Sequence, residues 1–343
     1  MTRIDEFDYE LPPERIAQTP LENRSSSKLL VDRGTQRAEH HTVDDLDSLL
    51  QPGDLVVVNN TRVLAARLFT KRPTGGLTEI LLLEPEGPPA VALASPVSQW
   101  TGLVKPSKKV APGTALTIDG EDDLAITVDE DLGEGRRTLT LESVDLEAAL
   151  IRVGQMPLPP YITKTLDDPE RYQTIYADAL GSAAAPTAGL HITEKLLERL
   201  NAKGIGLATV ELVVGLDTFR PVMVEDLDDH HMHSERFRVP PEAAEKIAAA
   251  KRVVAIGTTT VRALESWVRF GDVGATELFI RDPFEFQLVD LMLTNFHMPK
   301  STLLVMIDAF VGGRWRTLYD EALTNDYRFL SFGDAMLLDR SAG

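Results

Sequence analysis

Two stretches, residues 55–58 and 253–256, are apolar without interruption, the pattern of strands buried on both faces. Helical spacing precedes the second over 243–250 and follows it over 261–268. Strands alternating with helices predict an α/β layered domain. A third apolar run, 288–293, stops at the polar cluster Thr294-Asn295-Phe296-His297-Met298-Pro299-Lys300-Ser301-Thr302. Pro299 disfavours helix at Met298. Ser301 or Thr302 is then placed to cap a helix through Leu303, Leu304, Ile307 and Phe310 that Gly312-Gly313 ends. Residues 64–156 read differently. Short β runs at 79–83, 115–118, 124–128 and 138–141 are separated by Gly, Pro and Asp turns, and only 144–153 has helical spacing. This predicts an all-β, barrel-like domain over 64–156, inserted into an α/β domain formed by 1–63 and 157–343, with Pro157-Leu158-Pro159-Pro160 as the return linker.

The pattern also fixes where chemistry can sit. Asn295, His297 and Lys300 lie at a strand-to-helix junction, and helix N-termini offer unpaired N–H groups and a positive dipole end to anions. A second junction, Ala184-Ala185-Pro186-Thr187-Ala188-Gly189-Leu190-His191, precedes an amphipathic stretch at 194–200. Its small residues allow a ligand close to the backbone. A third runs from the strand 253–256 through Gly257-Thr258-Thr259-Thr260 to Arg262. Any one junction is ordinarily only a capped helix; three of one kind favour a site. His40 and His41 lie in a charged stretch and read as surface residues. Asp228-Asp229-His230-His231-Met232-His233 matches no zinc-ligand spacing, so no metal site is expected. No Gly-x-Gly-x-x-Gly loop follows a first strand, so an ordinary Rossmann cofactor site finds no support.

Composition narrows the chemistry further. The chain has 343 residues and no cysteine, room for about two domains. Disulfides, thiolate metal sites, a cysteine nucleophile and a cysteine-held iron–sulfur cluster are excluded. The charged start and the lack of any run near ~20 apolar residues argue against a signal peptide or membrane span, so a cytoplasmic protein is expected. Net charge is −18, unlike most nucleic-acid binders. Half of it lies between 117 and 150, where eleven acids face two arginines; over 56–111 seven basic residues outnumber three glutamates. Arg62, Arg67, Lys71, Arg72, Lys105, Lys108 and Lys109 form a candidate phosphate-contacting patch there, although a solvated surface is the commoner outcome.

The junctions, taken with Phe7-Asp8-Tyr9-Glu10-Leu11-Pro12, Arg24-Ser25-Ser26-Ser27-Lys28, Asp54-Leu55-Val56-Val57-Val58-Asn59-Asn60-Thr61-Arg62, Leu158-Pro159-Pro160-Tyr161, Arg171-Tyr172-Gln173-Thr174-Ile175-Tyr176, Met232-His233-Ser234-Glu235 and Phe329-Leu330-Ser331-Phe332-Gly333-Asp334, resemble the S-adenosylmethionine:tRNA ribosyltransferase-isomerase family over nearly the whole chain. The resemblance implies an α/β domain carrying a β-barrel insertion. It implies transfer of the ribosyl portion of S-adenosylmethionine to 7-aminomethyl-7-deazaguanine at the tRNA wobble position, with rearrangement to an epoxycyclopentane and loss of adenine and methionine. The partners would be tRNA and S-adenosylmethionine. The latter is consumed as a substrate, so no cofactor is expected, and the chain is expected to act as a monomer away from membranes.

Such a reaction needs proton transfers at the carbon beside the sulfonium, at the attacking amine and at the departing adenine, tasks for histidine and carboxylate. His191 is the first candidate base, His297 the second and the His233/Glu235 pair the third. Thr258, Thr259, Thr260 and Arg262 are candidates for the methionine carboxylate or a phosphate. Asn59, Asn60 and Arg62 are candidates for adenine, ribose or RNA, and Asp334 for a guanine-like edge or the sulfonium. Thr187, Gly189, Asn295 and Lys300 complete the candidate substrate-binding set, and Lys105, Lys108 and Lys109 are candidates for RNA phosphates. Phe296, Phe332 and Tyr161 are candidates for stacking on a splayed-out base. The chain departs from the family's pattern at Val213, where histidine is usual, at Asp308, where a small residue is common, and at Ile192 in place of phenylalanine. Two alternatives stay open: a relative that attacks S-adenosylmethionine with a small-molecule nucleophile, and a non-catalytic RNA-binding paralogue.

Overall fold

The computed structural model describes residues 2–34, 37–215 and 221–342, which divide into two units. The first comprises 1–61, 160–177 and 186–343; the second comprises 62–159 and 178–185.

The first unit is built on a nine-stranded mixed sheet. From edge to edge its strands are Val273–Thr276, Glu235–Arg238, Gly206–Leu212, Asp54–Asn59, Arg252–Ile256, Val289–Asn295, Ala335–Asp339, Lys28–Val31 and Glu39–Thr42. The four central strands from Gly206–Leu212 to Val289–Asn295 are parallel, with Val254 opposite Val56 and Ala208 opposite Val57. Both of their faces are covered, which is why 55–58 and 253–256 carry no polar side chain. On one face Val56, Val58, Val254, Ile256, Leu291 and Leu293 pack against Ile192, Leu196 and Leu200 and against Val43, Leu46 and Leu50. Ile192 is thus a core residue. The alternate residues face the other way, where helices Pro241–Ala249 and Thr258–Phe270 pack on the sheet.

The expected helix after Pro299 is Thr302–Val311, capped by Ser301, whose Oγ accepts from Leu304 N at 3.2 Å, and closed by Gly312 at φ +63°. Thr193 caps Glu194–Ala202 in the same way, accepting from Leu196 N at 3.3 Å. Both caps follow from a hydroxyl placed three residues before the acceptor-seeking N–H. Asp308 lies half-buried on the first of these helices, and burial pushes its carboxyl pKa up.

The second unit is a closed antiparallel barrel, in the order Arg136–Glu142, Val97–Lys105, Leu77–Pro85, Arg67–Lys71, Ala115–Ile118 and Glu121–Gly133. Alternating residues fill it: Leu68, Ile80, Leu82, Trp100, Val104, Ile126, Val128, Leu139 and Leu141 are all buried. Closure removes the free edges that an open sheet of this kind would expose. The helix expected near 144–153 is Leu146–Val153, capped by Asp145. A second helix, Pro89–Ala94, was not anticipated, because its run of Pro, Ala and Val lacks the polar face that marks helical periodicity. No helix among the described residues is long and apolar enough to cross a membrane.

Candidate active site

The sheet topology selects an edge before any side chain is considered. The connection leaving Asp54–Asn59 returns to Gly206–Leu212 on one side, while that leaving Arg252–Ile256 returns to Val289–Asn295 on the other. Ligands in open α/β sheets bind beyond the carboxyl ends of strands at such a switch point. At this edge lie the residues after all four parallel strands, together with the start of the antiparallel Glu235–Arg238 and Ala335–Asp339.

The three junctions meet there. Gly257 adopts φ +87°, and a Cβ built on it would lie 3.5 Å from the Cβ of Ala188, so the turn 257–260 touches the turn 187–191. Gly257 N also donates to Leu293 O at 2.7 Å. Thr187 Oγ1 donates to Asn295 Oδ1 at 3.2 Å, and Asn295 Nδ2 contacts His191 Nε2 at 3.0 Å and donates to Asp334 O at 3.3 Å. Because the Asp334 carbonyl can only accept, the amide nitrogen faces His191, whose Nε2 must therefore be the unprotonated acceptor. Burial drives the His191 pKa down to about 4, opposed by a hydrogen bond to the Arg24 backbone and assisted by the charges of Arg328 and Arg24. The ring is neutral at pH 7. Gly189 is required beside it: a Cβ there would fall 2.1 Å from Tyr176 Oη. A cleft open to solvent, about 250 Å³ counted with its open side, adjoins His191, bounded by Leu190, Phe332, Ser27, Ser331 and Arg24 among others.

A second polar cluster lies on the other side of the turn 257–260. Glu235, 3 % exposed, forms an ion pair with Arg262 and accepts from Gly215 N at 2.9 Å, while its Oε1 meets His233 Nε2 at 3.0 Å. Arg262 also donates to the carbonyls of His233 at 3.0 Å and Thr276 at 2.9 Å. Burial raises the Glu235 pKa, but His233, Arg262 and the Gly215 N–H outweigh it and hold the carboxyl below its ordinary value. An ionised carboxylate therefore stands behind His233. The adjoining cleft, about 380 Å³ counted with its open side, lies between Thr258, Thr259, Met306, Leu278 and Ile280. Thr259 Oγ1 is buried without a partner, whereas Thr260 Oγ1 donates back to Ile256 O at 2.7 Å. Val213 passes this cluster with its N–H bonded to Arg236 O at 2.9 Å, two residues before Gly215.

The remaining candidates are distributed differently. His297 is buried in an aromatic group: its N–H donates to Tyr319 Oη at 2.9 Å, its carbonyl accepts from Tyr9 Oη, and its Nε2 meets Thr294 Oγ1 at 3.1 Å. Burial takes its pKa to about 3. Lys300 turns at φ +55° to pair with Asp5 at 2.7 Å and Asp8 at 3.1 Å. Asp334 accepts from Lys28 N at 3.0 Å and Arg328 N at 2.8 Å, closing the turn before its strand. Asn59 bonds both ways to Leu212, 2.9 Å to its carbonyl and 3.1 Å from its N–H, extending the ladder by one rung. Asn60 keeps a buried, unpartnered Oδ1, and Arg62 is half-buried in Thr61–Val63.

On the barrel, Lys71 pairs with Asp119, Arg67 with Glu79 at 3.6 Å and Arg137 with Asp131. Lys105, Lys108 and Lys109 are exposed and, among the described residues, pair with no carboxylate. Phe296 is core, packed on Tyr319, Tyr327 and Phe329. Ser27 and Ser331 were not foreseen as pocket residues; their only signal in the sequence was membership of the quoted motifs.

The edge therefore offers a neutral buried imidazole, an ionised carboxylate–imidazole pair, and a helix start with an unpartnered hydroxyl. Proton transfer and binding of a zwitterionic ligand are both within reach of that set.

Residues 4–338 match the family described as queuosine biosynthesis protein. The chain is 48% identical over 353 residues to the S-adenosylmethionine:tRNA ribosyltransferase-isomerase of Anaeromyxobacter sp. (strain Fw109-5), covering 99% of each chain. It is 47% identical to the protein of that description from Rubrobacter xylanophilus, covering 98% of this chain and 97% of that one. The crystal structure of an S-adenosylmethionine tRNA ribosyltransferase from Thermotoga maritima superposes with a TM-score of 0.54 at 37% identity, covering 97% of this chain and 99% of that one. With a match spanning nearly the whole sequence and relatives this similar end to end, the chain belongs to the queuosine biosynthesis protein family.

Proposed function

We propose that this enzyme transfers the ribosyl portion of S-adenosylmethionine to the aminomethyl group of 7-aminomethyl-7-deazaguanine at the tRNA wobble position and isomerises it to the epoxycyclopentane of epoxyqueuosine, releasing adenine and methionine. The observation that carries the reading is the meeting of the three junctions at the switch-point edge, where Gly257 touches Ala188 and Asn295 links Thr187 to His191. Relatives 47–48% identical over full length bear the corresponding description.

In this reading S-adenosylmethionine is a substrate and no cofactor takes part. Its methionine end suits the pocket at Thr258 and Thr259, where apolar walls from Leu278, Ile280 and Met306 meet first-turn N–H groups. Arg262 holds Glu235 rather than a ligand, and Glu235 in turn orients His233. His191 is neutral at pH 7, and its Nε2 lone pair, turned to Asn295, takes a proton when that contact opens. His297, enclosed by Tyr9 and Tyr319, supports the fold of the edge.

The test is adenine and methionine release from S-adenosylmethionine with and without tRNA carrying the aminomethyl-deazaguanine. Release only with the modified tRNA, matched by ribosyl gain on the RNA, is the expected result. Turnover without tRNA would move the substrate to a small molecule. Absence of release from a protein that binds both substrates would overturn the reading and leave an RNA-binding paralogue.

A further inference from the structure

Near the sheet edge, Arg24 and Arg171 are basic residues that the reading above leaves without a role. Arg24 Nη1 donates to Gln173 O at 2.7 Å and Nη2 to Glu170 O at 3.1 Å. Arg171 Nη1 donates to Glu22 O at 3.3 Å and Nη2 to Leu21 O. The two segments 21–24 and 170–173 are thus laced together by guanidiniums whose acceptors are neutral main-chain carbonyls. Asp168 and Glu170 are close enough to be felt by Arg24, yet neither arginine forms an ion pair among the described residues. Their guanidiniums are held in place, with Asp168 and Glu170 offsetting part of the charge on Arg24. Each guanidinium has five N–H donors, so donors remain for an anion.

Arg24 borders the His191 pocket, and Arg171 adjoins it through its bond to Leu21 O. Arg24 and Leu21 are among its lining residues, with Leu190 and Phe332 as apolar walls. The cleft opens to solvent, and even its about 250 Å³ counted with that open side falls below the roughly 300–1,000 Å³ of pockets that take drug-sized ligands, too little for a whole S-adenosylmethionine. Ser27, 3 % exposed, donates its hydroxyl proton to Arg24 O at 3.2 Å, so its oxygen can only accept from anything else. A guanine-type edge presents N–H donors to such an oxygen. Bases acted on by enzymes are extruded and held between apolar or aromatic side chains with hydrogen bonds to their edge.

We propose that the His191 pocket is the subsite for the extruded 7-deazaguanine base and that Arg24 and Arg171 clamp the RNA phosphates beside it. The proposal rests on the ribosyl-transfer reading and assigns the RNA to the opposite side of the turn 257–260 from the Thr258/Thr259 pocket. A short clamp next to the chemistry also accommodates a net charge of −18, which a broad basic surface would not.

The test measures binding of an anticodon stem-loop carrying the aminomethyl-deazaguanine across a salt series, with S-adenosylmethionine binding and melting temperature followed in parallel. Each single-strand phosphate contact contributes about 0.7 to the slope of log affinity on log salt. Arg171→Gln and Arg24→Gln are each expected to lower that slope by about this amount and to weaken binding roughly tenfold at low salt. Arg171→Gln should leave S-adenosylmethionine affinity unchanged, and it carries the test alone if Arg24→Gln melts early. Ser27→Ala should weaken the modified stem-loop by roughly three- to tenfold while leaving a stem-loop abasic at that position unaffected. Wild-type affinity and slope in both arginine variants would overturn the clamp. So would loss of the whole slope on replacing Lys105, Lys108 and Lys109 by alanine. A wild-type protein that binds the stem-loop but never releases adenine would instead sink the ribosyl-transfer reading, leaving the clamp standing.

Discussion

Replacing Glu235 by glutamine removes one charge from the most enclosed ion pair at the sheet edge. The side chains of Glu235 and Arg262 are 3 % and 5 % exposed. Removing one partner of a buried pair costs about 3–5 kcal/mol, because the other charge is left in a poor solvent. Glutamine keeps an oxygen for the Gly215 N–H, which puts the expected cost near the lower end, about 3 kcal/mol. For a unit of this size each 1 kcal/mol shifts the melting temperature by roughly 2–4 °C, so Glu235→Gln should melt roughly 6–12 °C below wild type at pH 7.

Two controls sharpen the test. The folded-state pKa of Glu235 lies below its ordinary value of 4.5. Its contribution is therefore complete above about pH 4.5 and is lost as pH falls through the folded-state value. The gap between wild type and variant should be widest at neutral pH and close in acid. In addition, the double variant Glu235→Gln/Arg262→Met removes the stranded guanidinium and should regain much of the loss. The assay is thermal melting followed by near-ultraviolet circular dichroism at several pH values. A single variant melting within roughly 2 °C of wild type at pH 7 would refute the argument, since that is less than 1 kcal/mol on the same scale.

Other outcomes follow from the same geometry. His191 and His297 are held neutral with pKa values of about 4 and about 3, so wild type should lose stability as pH falls below 6.5, where only the unfolded chain protonates; His297→Asn should flatten that slope in a pH series of urea melts. Gly189→Ala should destabilise the protein by about 1–3 kcal/mol, as overpacking does, because its Cβ would lie 2.1 Å from Tyr176 Oη, and Gly189→Ala/Tyr176→Phe should recover part of the loss in the same melts. Thr259→Val removes a buried hydroxyl without a partner, so stability should hold or rise; if that oxygen meets S-adenosylmethionine, its KM should rise severalfold, and an unchanged KM would remove Thr259 from the binding set.

Much of this protein follows from nearest neighbours along the chain. Unbroken apolar runs at 55–58 and 253–256 mark strands covered on both faces, and the alternating runs over 64–156 mark the barrel, because side-chain period depends only on local backbone geometry. Ser301 and Thr193 announce their caps for the same reason. What tertiary structure alone decides is which polar groups face one another. Asn295 reaches His191 across 104 residues and Arg262 reaches Glu235 across 27, and no periodicity encodes such a pairing. The same long-range contacts commit Asn59 to Leu212, Lys300 to Asp5 and Asp334 to Lys28 and Arg328, side chains that look equally free on paper. Burial, which lowers the pKa values of His191 and His297, is likewise a property of the packed fold and not of any residue within it.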